Sequence, residues 1–123
     1  MPLERPARSR LGREGARRSA AVHAGIRHAR KFGRGAEVER LLEACGTERG
    51  FCDAYGYALV ATGRAEISLD PVMALWDTAA LFPVLTEAGG TLTDFSGKAT
   101  YTAPEAIATN GFVFDAVLRT VRG

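Results

Sequence analysis

Charge and apolar content divide the chain near residue 35, and this division limits where a core can form. Residues 1 to 35 carry ten Arg and Lys side chains against two acids, whereas residues 36 to 123 carry six against twelve. The first segment also has few large apolar side chains, so it cannot bury a core of its own. We predict a basic leader over residues 1–33, disordered or partly helical, and a single domain over residues 34–123.

Three roles are compatible with the basic leader. Its Arg and Lys side chains could bind nucleic acid by displacing counterions from phosphates, although Phe32 is the only aromatic residue available for base stacking. An Arg-rich, acid-poor segment is also typical of organelle-targeting peptides. A third alternative is an unstructured leader translated from a start site inside a longer gene, and we favour this one.

After residue 35, apolar periodicity and turn residues predict helices and short strands in alternation. Asp70-Pro71 ends one strand, since proline cannot donate to a β ladder, and Pro83 should kink the third helix. Such alternation is typical of a layered α/β domain. The predicted helices cover residues 36–45, 53–62, 76–88 and 113–121, and the predicted strands cover residues 65–69, 91–94 and 106–109.

The sequence indicates a cytoplasmic protein. Cys45 and Cys52 form no CxxC motif and have no histidine at metal-finger spacing, so we interpret them as free thiols in a reducing compartment. No apolar signal core follows the N-terminal charges. No window approaches the roughly 18 apolar residues that a membrane-spanning helix needs.

Asp70 and Asp77 are the carboxylates best placed for chemistry. Asp70 closes a predicted strand and Asp77 opens a predicted helix, and ligand sites in α/β folds gather where strands end. A carboxylate at a helix N-terminus can also cap free N–H groups and meet the positive end of the helix dipole. The same position suits Mg²⁺, which binds a few carboxylates together with water and substrate phosphate oxygens. From position alone, capping is the more common role for Asp77.

The segments around these aspartates carry a family resemblance. The sequence reads WDTAA at residues 76–80 and EAGG at residues 87–90, which resembles the second signature of the inositol monophosphatase family. The run DAYGYALVATGRAE at residues 53–66 is similar to the histidinol-phosphate phosphatase branch of that family. The resemblance covers roughly residues 36–123. It implies an α/β fold with a mixed sheet and flanking helices, corresponding to the C-terminal half of this phosphatase fold.

The resemblance also implies roles for individual residues. Asp77 falls on a metal-ligating, catalytic aspartate that touches the leaving oxygen of the substrate. Asp70 falls on an acidic position that contacts the substrate, and Asp53 on a position that lines the substrate pocket. The implied reaction is hydrolysis of a small phosphorylated alcohol, such as histidinol phosphate or inositol phosphate, with two or three Mg²⁺ ions. We expect Trp76 to pack behind the site.

The family's other metal ligands are not found in the sequence. They come from a glutamate and from a motif of the form Asp-Pro-Ile/Leu-Asp-Gly-Thr/Ser, both upstream of the resembling region. The one Asp-Pro step of this chain, Asp70-Pro71, is followed by Val72-Met73-Ala74 and does not continue the motif. We therefore expect the N-terminal half of the fold to be missing, the magnesium site to be incomplete and the isolated chain to be inactive.

A missing half would leave an apolar face exposed. Such a face favours a homo-oligomer or pairing with a separately encoded N-terminal half. The rival hypothesis is a non-enzymatic binding module or gene remnant, in which the basic leader binds nucleic acid or an acidic partner. A salt-sensitive interaction that is lost on deleting residues 1–33 would favour this rival.

Overall fold

A computed structural model describes residues 19–50 and 54–123, in which short strands alternate with helices. The elements predicted after residue 35 are all present, with their ends within two residues of the predicted bounds. The strands are β1 (Ala20–His23), β2 (Thr47–Gly50), β3 (Ile67–Asp70), β4 (Thr91–Thr93) and β5 (Ala106–Thr109), and the helices are α1 (Ile26–Lys31), α2 (Gly35–Ala44), α3 (Ala54–Ala61), α4 (Leu75–Glu87) and α5 (Phe114–Arg122).

The five strands form one mixed sheet in the order β2-β1-β3-β5-β4. β1 pairs in parallel with β2 and with β3, whereas β5 pairs antiparallel with both β3 and β4. The mixed sheet with flanking helices confirms the predicted fold class. It also places the end of β3, and therefore Asp70, near the middle of the sheet.

Helices cover both faces of the sheet. Successive strand residues point to opposite faces, so each strand contributes side chains to the core on both sides. Ala21 belongs to one buried cluster, with apolar residues of α1, α2 and α5, and the next residue, Val22, belongs to a second cluster with residues of α3 and α4. In β5, Ile107 belongs to the first of these clusters and Ala108 to the second. The molecule is thus a three-layer α/β/α arrangement, with α3 and α4 on the face nearest the candidate site.

A close approach between α3 and the sheet depends on Gly56. A Cβ atom at this position would lie 2.8 Å from Ser68 Oγ and 2.9 Å from Val22 Cγ1. Both distances are shorter than van der Waals contact. The absence of a side chain therefore lets α3 pack directly on β1 and β3.

The structure corrects the prediction for the basic leader. Disorder or frayed helix was expected over residues 1–33, and this is wrong for residues 19–33, which contain β1 and α1; residues 1–18 lie outside the described residues. The error came from counting large apolar side chains. Ala21 and Val22 are almost completely buried because β1 lies between β2 and β3, and small residues are enough to fill that position.

β2 was also not predicted. All four residues of this strand, Thr47–Gly50, are exposed, and the strand contains no large apolar side chain. The strand forms because its backbone pairs with β1 at the edge of the sheet. An exposed polar edge strand has no periodic signal that sequence analysis can detect.

Candidate functional site

The candidate site forms where β3 ends and α4 begins. The backbone N–H of Val72 donates to Asp70 Oδ1 at 3.0 Å, so the chain turns immediately after the strand. Asp70 also takes part in further interactions. At the start of α4, the Ala74 carbonyl accepts bonds from Asp77 N at 3.0 Å and from Thr78 Oγ1 at 3.0 Å. These local bonds place Asp70 and Asp77 on the two sides of a four-residue connection.

Both aspartates line one pocket with a volume of about 280 Å³. The wall between them is mostly apolar. The lining residues are Asp70, Val72, Met73, Trp76, Asp77, Ala80 and Leu81. The structure therefore brings two of the three predicted site residues together, while Asp53 lies outside the described residues.

Asp77 occupies the first turn of α4, and its side chain is exposed. The cap residue of this helix is Ala74, which offers no side-chain acceptor. A carboxylate in the first turn still meets the positive end of the helix dipole, so the structural role expected from the sequence is compatible with the geometry. An exposed carboxylate at a pocket rim is equally available to a ligand.

Tyr57 is a member of this site that sequence analysis did not identify. It lies on α3, is 2% exposed and donates its hydroxyl hydrogen bond to Met73 Sδ at 3.6 Å. Burial raises the pKa of Tyr57 well above its usual value, and the negative charges of Asp70 and then Asp77 raise it further. The signal in the sequence is one of two tyrosines, Tyr55 and Tyr57, on an otherwise apolar helix, and such a residue is easily interpreted as core packing.

Trp76 contradicts the expectation that its indole packs behind the site. Its side chain is 77% exposed at the N-terminus of α4, beside the pocket. Leu75 and Val72 next to it are exposed as well. Among residues 19–50 and 54–123, no element covers this apolar patch, which we call the Trp76 patch (Val72, Leu75 and Trp76).

The donor atoms of the pocket suit a hard divalent cation, but their number does not. Carboxylate oxygens are the ligands that Mg²⁺ prefers, and it takes six ligands in near-octahedral geometry. Within the described part of the chain, no group of three or more His, Cys, Asp or Glu residues is arranged to hold a metal ion. Among the described residues, the pocket therefore offers only the two carboxylates of Asp70 and Asp77 to such an ion.

In the described part of the basic leader, Arg30 pairs with Glu39 of the domain. Immediately after the leader, Arg34 pairs with Glu105. These contacts join the first described elements to the rest of the domain.

No helix within the described residues is long and apolar enough to cross a membrane.

Comparison with known proteins identifies the fold and the family. The sequence profile of the inositol monophosphatase family matches residues 8–122. A histidinol-phosphatase from Chlorobaculum parvum is 46% identical over 61 residues, which are 50% of this chain and 24% of that protein. The match to an inositol monophosphatase from Anabaena has a TM-score of 0.79 at 25% identity and covers 98% of this chain and 48% of that one.

A third similarity is to a structure solved with a bound metal ion. An inositol monophosphatase/NADP phosphatase, solved in complex with NADP and Ca²⁺, matches with a TM-score of 0.74 at 20% identity, over 96% of this chain and 43% of that one. At this identity the likeness extends to the fold alone. The matches to this chain thus span about a quarter of the curated relative and less than half of the solved structures.

Proposed function

This chain belongs to the inositol monophosphatase family, and from that premise we propose that it forms part of a metal-dependent phosphomonoesterase acting on a small phosphorylated alcohol. The observation that carries the proposal is the shared pocket of Asp70 and Asp77. In this proposal Asp77 is the catalytic, metal-ligating carboxylate and Asp70 contacts the substrate. Asp53, outside the described residues, is proposed as a third residue of the substrate pocket.

Histidinol phosphate is the substrate that we favour. The Chlorobaculum parvum relative is a histidinol-phosphatase, and its similarity to this chain is concentrated in half of the residues. A pocket of about 280 Å³ suits a small metabolite. Asp70 could accept a hydrogen bond from a hydroxyl or an ammonium group, and the apolar wall between Asp70 and Asp77 could contact a ring.

Mg²⁺ is the proposed cofactor. When bound, it would supply an activated water and neutralise charge on the leaving oxygen. Asp77 is the described residue best placed to ligate it, because its exposed carboxylate lies at the pocket rim. In this proposal the other ligands come from outside the described residues, among which no group of three or more His, Cys, Asp or Glu is arranged to hold an ion.

We propose that a further segment completes the site by covering the Trp76 patch. The segment could belong to the same polypeptide beyond this sequence, to a separately encoded half or to a second copy of this chain. Burying a tryptophan, a leucine and a valine would stabilise such an association by removing apolar surface from water. Because Trp76 and Asp77 are neighbours, the covering segment would also lie close enough to contribute ligands.

The site of action that we propose is the cytoplasm. Cys45 is a free, partly buried thiol in the structure. A free thiol persists most readily in a reducing compartment. We do not propose the nucleic-acid alternative, since no observation among the described residues favours it.

Phosphate release from histidinol phosphate tests the proposal. The chain would be assayed with Mg²⁺ alone, and then mixed with the part of the Chlorobaculum parvum histidinol-phosphatase that lies outside the matched region. We expect no release from either component and release from the mixture. Asp77→Asn should abolish that release, whereas Asp115→Asn, which changes an acid in the first turn of α5, should leave it unchanged.

Two results would overturn the proposal. Release that survives Asp77→Asn would show that Asp77 has no catalytic role. No release from the mixture, under conditions in which the two components form a stable complex, would show that this chain does not contribute a working phosphatase site.

A further inference from the structure

The outer sides of α3 and α4 form an exposed apolar surface. In α4, Thr78 and Leu85 are buried and lie seven residues apart, so they mark the inner side of the helix. The residues on the opposite side and in the first turn are exposed and mostly apolar. With one exposed tyrosine of α3 they form what we call the α3/α4 face: Tyr55, Leu75, Trp76, Ala79, Ala80, Pro83 and Val84.

The α3/α4 face differs in charge from the other side of the molecule. The sequences of α3 and α4 contain no Arg or Lys, and their only charged residues are Asp77 and Glu87. The helices on the other side of the sheet carry exposed charges of both signs, among them Arg27, Lys31, Glu43, Asp115 and Arg119. An apolar surface on one side alone is typical of a surface that packs against a partner.

The size of the α3/α4 face is close to one side of a stable protein–protein interface. Its large side chains are each more than half exposed: Tyr55, Leu75, Trp76 and Val84. With the smaller residues between them they offer roughly 600 Å² of surface, the upper end of what a typical monomer exposes in one patch. A stable interface buries about 800 Å² per partner, and a polar rim contributes part of that area.

The side chains along α4 make this face complementary to itself. Trp76 is large and lies near the start of the helix, Ala80 is small and lies near its middle, and Val84 lies towards its end. If two copies of α4 pack antiparallel about a twofold axis near Ala80, the small residues let the backbones approach and Trp76 of one copy meets Val84 of the other. The two Asp77 residues are then offset by roughly 9 Å along the helix axes, so their charges do not oppose each other directly.

We propose that a second copy of this chain covers the α3/α4 face, in a twofold-symmetric dimer with antiparallel α4 helices. The inference goes beyond the proposed function, which leaves open what covers the Trp76 patch, and it concerns the chain by itself. Trp76 and Ala80 line the pocket of Asp70 and Asp77 as well as the α3/α4 face. The second copy therefore lies at the pocket entrance, and a separate phosphatase segment has to displace it to reach Asp77.

Sedimentation equilibrium of the full chain over a range of concentrations tests the dimer. We expect monomers to convert to dimers with a dissociation constant on the order of micromolar. Val84→Lys would place an unpaired charge inside the interface and should raise that constant at least about tenfold. Phe32→Lys is the matched control, because it adds the same charge at an exposed apolar position just after α1, away from the face, and should leave the constant unchanged.

A mixing experiment tests the antiparallel arrangement. Trp76→Glu alone should weaken the dimer as Val84→Lys does, since each puts like charges into both symmetric contacts. In an equimolar mixture of the two variants, one contact joins Glu to Lys and the other keeps the native Trp76 and Val84. The mixture should therefore dimerise more tightly than either variant by itself.

The outcomes separate this inference from the proposed function. A monomer at every concentration would overturn the dimer, as would a dimer that survives both Val84→Lys and Trp76→Glu. A mixture that associates no better than its components would overturn the antiparallel arrangement. Thermal unfolding shows which variants are folded, and either one of the two is enough to test the face.

The unmatched part of the Chlorobaculum parvum histidinol-phosphatase provides the alternative occupant. A chain that stays monomeric but binds this part would assign the face to it, which overturns the inference and leaves the proposed function standing. A dimer that the two face variants disrupt supports the inference, even if the mixture with that part releases no phosphate and the proposed function fails.

Discussion

Arg34 binds Glu105 through two nitrogen atoms, with Nε at 3.2 Å and Nη2 at 2.7 Å from Oε1. The pair joins the turn before α2 to the segment before β5, 71 residues further along the chain. The second carboxylate oxygen of Glu105 accepts a bond from the backbone N–H of Phe95 at 2.7 Å, and the Arg34 guanidinium lies 4.9 Å from the Phe95 ring centroid. These contacts attach the first helices to the rest of the fold.

Arg34→Ala should therefore lower the free energy of unfolding by about 1–3 kcal/mol, because it leaves the mostly buried carboxylate of Glu105 without its cation. Arg30→Ala is the matched control. It breaks an ion pair with Glu39 in which both side chains are well exposed, and it should cost less than about 1 kcal/mol. Urea denaturation measures both values, and equal losses would contradict the prediction.

Gly56→Ala should destabilise the chain by about 1–3 kcal/mol. The added methyl group would meet Ser68 Oγ and Val22 Cγ1 below 3.0 Å, and relieving the overlap requires α3 to move away from the sheet. Gly50→Ala serves as a control, since the nearest atom to its Cβ, in the His23 side chain, is 3.9 Å away. If Gly56→Ala unfolds at the wild-type temperature, α3 does not pack as closely as described.

Cys45 should react slowly with alkylating reagents. Burial raises the pKa of its thiol from 9.0 to about 11, and the charges of Glu66 and Glu48 contribute to the rise. At pH 8 the reactive thiolate should be about 100-fold scarcer than for a thiol of pKa 9.0. Mass spectrometry of the Cys45 peptide after iodoacetamide treatment measures the rate, with the denatured chain as reference, and equal rates in the two states would refute the prediction.

The same shift predicts how stability depends on pH. Because the folded state raises the pKa of Cys45, the protonated thiol favours folding below about pH 9, and this contribution is lost as the pH rises from 9 towards 11. Cys45→Ser should therefore show a smaller loss of stability over that interval than the wild-type chain. Denaturation at a series of pH values gives the comparison, and parallel curves would contradict the assignment.

Trp76 should report directly on what covers the patch around it. With 77% of the residue exposed, its fluorescence should have the long-wavelength maximum of a solvated indole and should be quenched readily by acrylamide. A complementary segment or a second copy should shift the emission to shorter wavelength, and a second copy would make the shift depend on chain concentration. A short-wavelength maximum in the most dilute sample would mean that the chain buries its own indole.

Apart from β2, the elements after residue 35 could be predicted because their local signals agree. α2 has apolar residues at helical spacing, and α4 ends just before Gly89, whose φ of 83° suits a glycine. β1 and β2 lack such signals. β1 consists of small residues that are buried by their neighbours, and β2 is a polar edge held by backbone pairing, so both depend on contacts between distant parts of the chain.

The candidate site also has features that could be predicted from the sequence and features that could not. Asp70 and Asp77 could be identified from the sequence, because a strand end, a helix start and a recognisable motif lie within a few residues of each other. The exposure of Trp76, and the buried Tyr57 close enough to feel the charges of both carboxylates, could not. Both depend on how α3 and α4 pack against each other and on the sheet.

The sequence by itself determined the order of most elements, the family and the two carboxylates, since each of these depends on residues close together in the chain. The tertiary structure decided that β1 lies between β2 and β3 in the sheet, that Trp76 is exposed and that Tyr57 bonds to Met73. These features depend on side chains brought together from separate elements. The local pattern of any one element carries no information about the neighbour that it will meet.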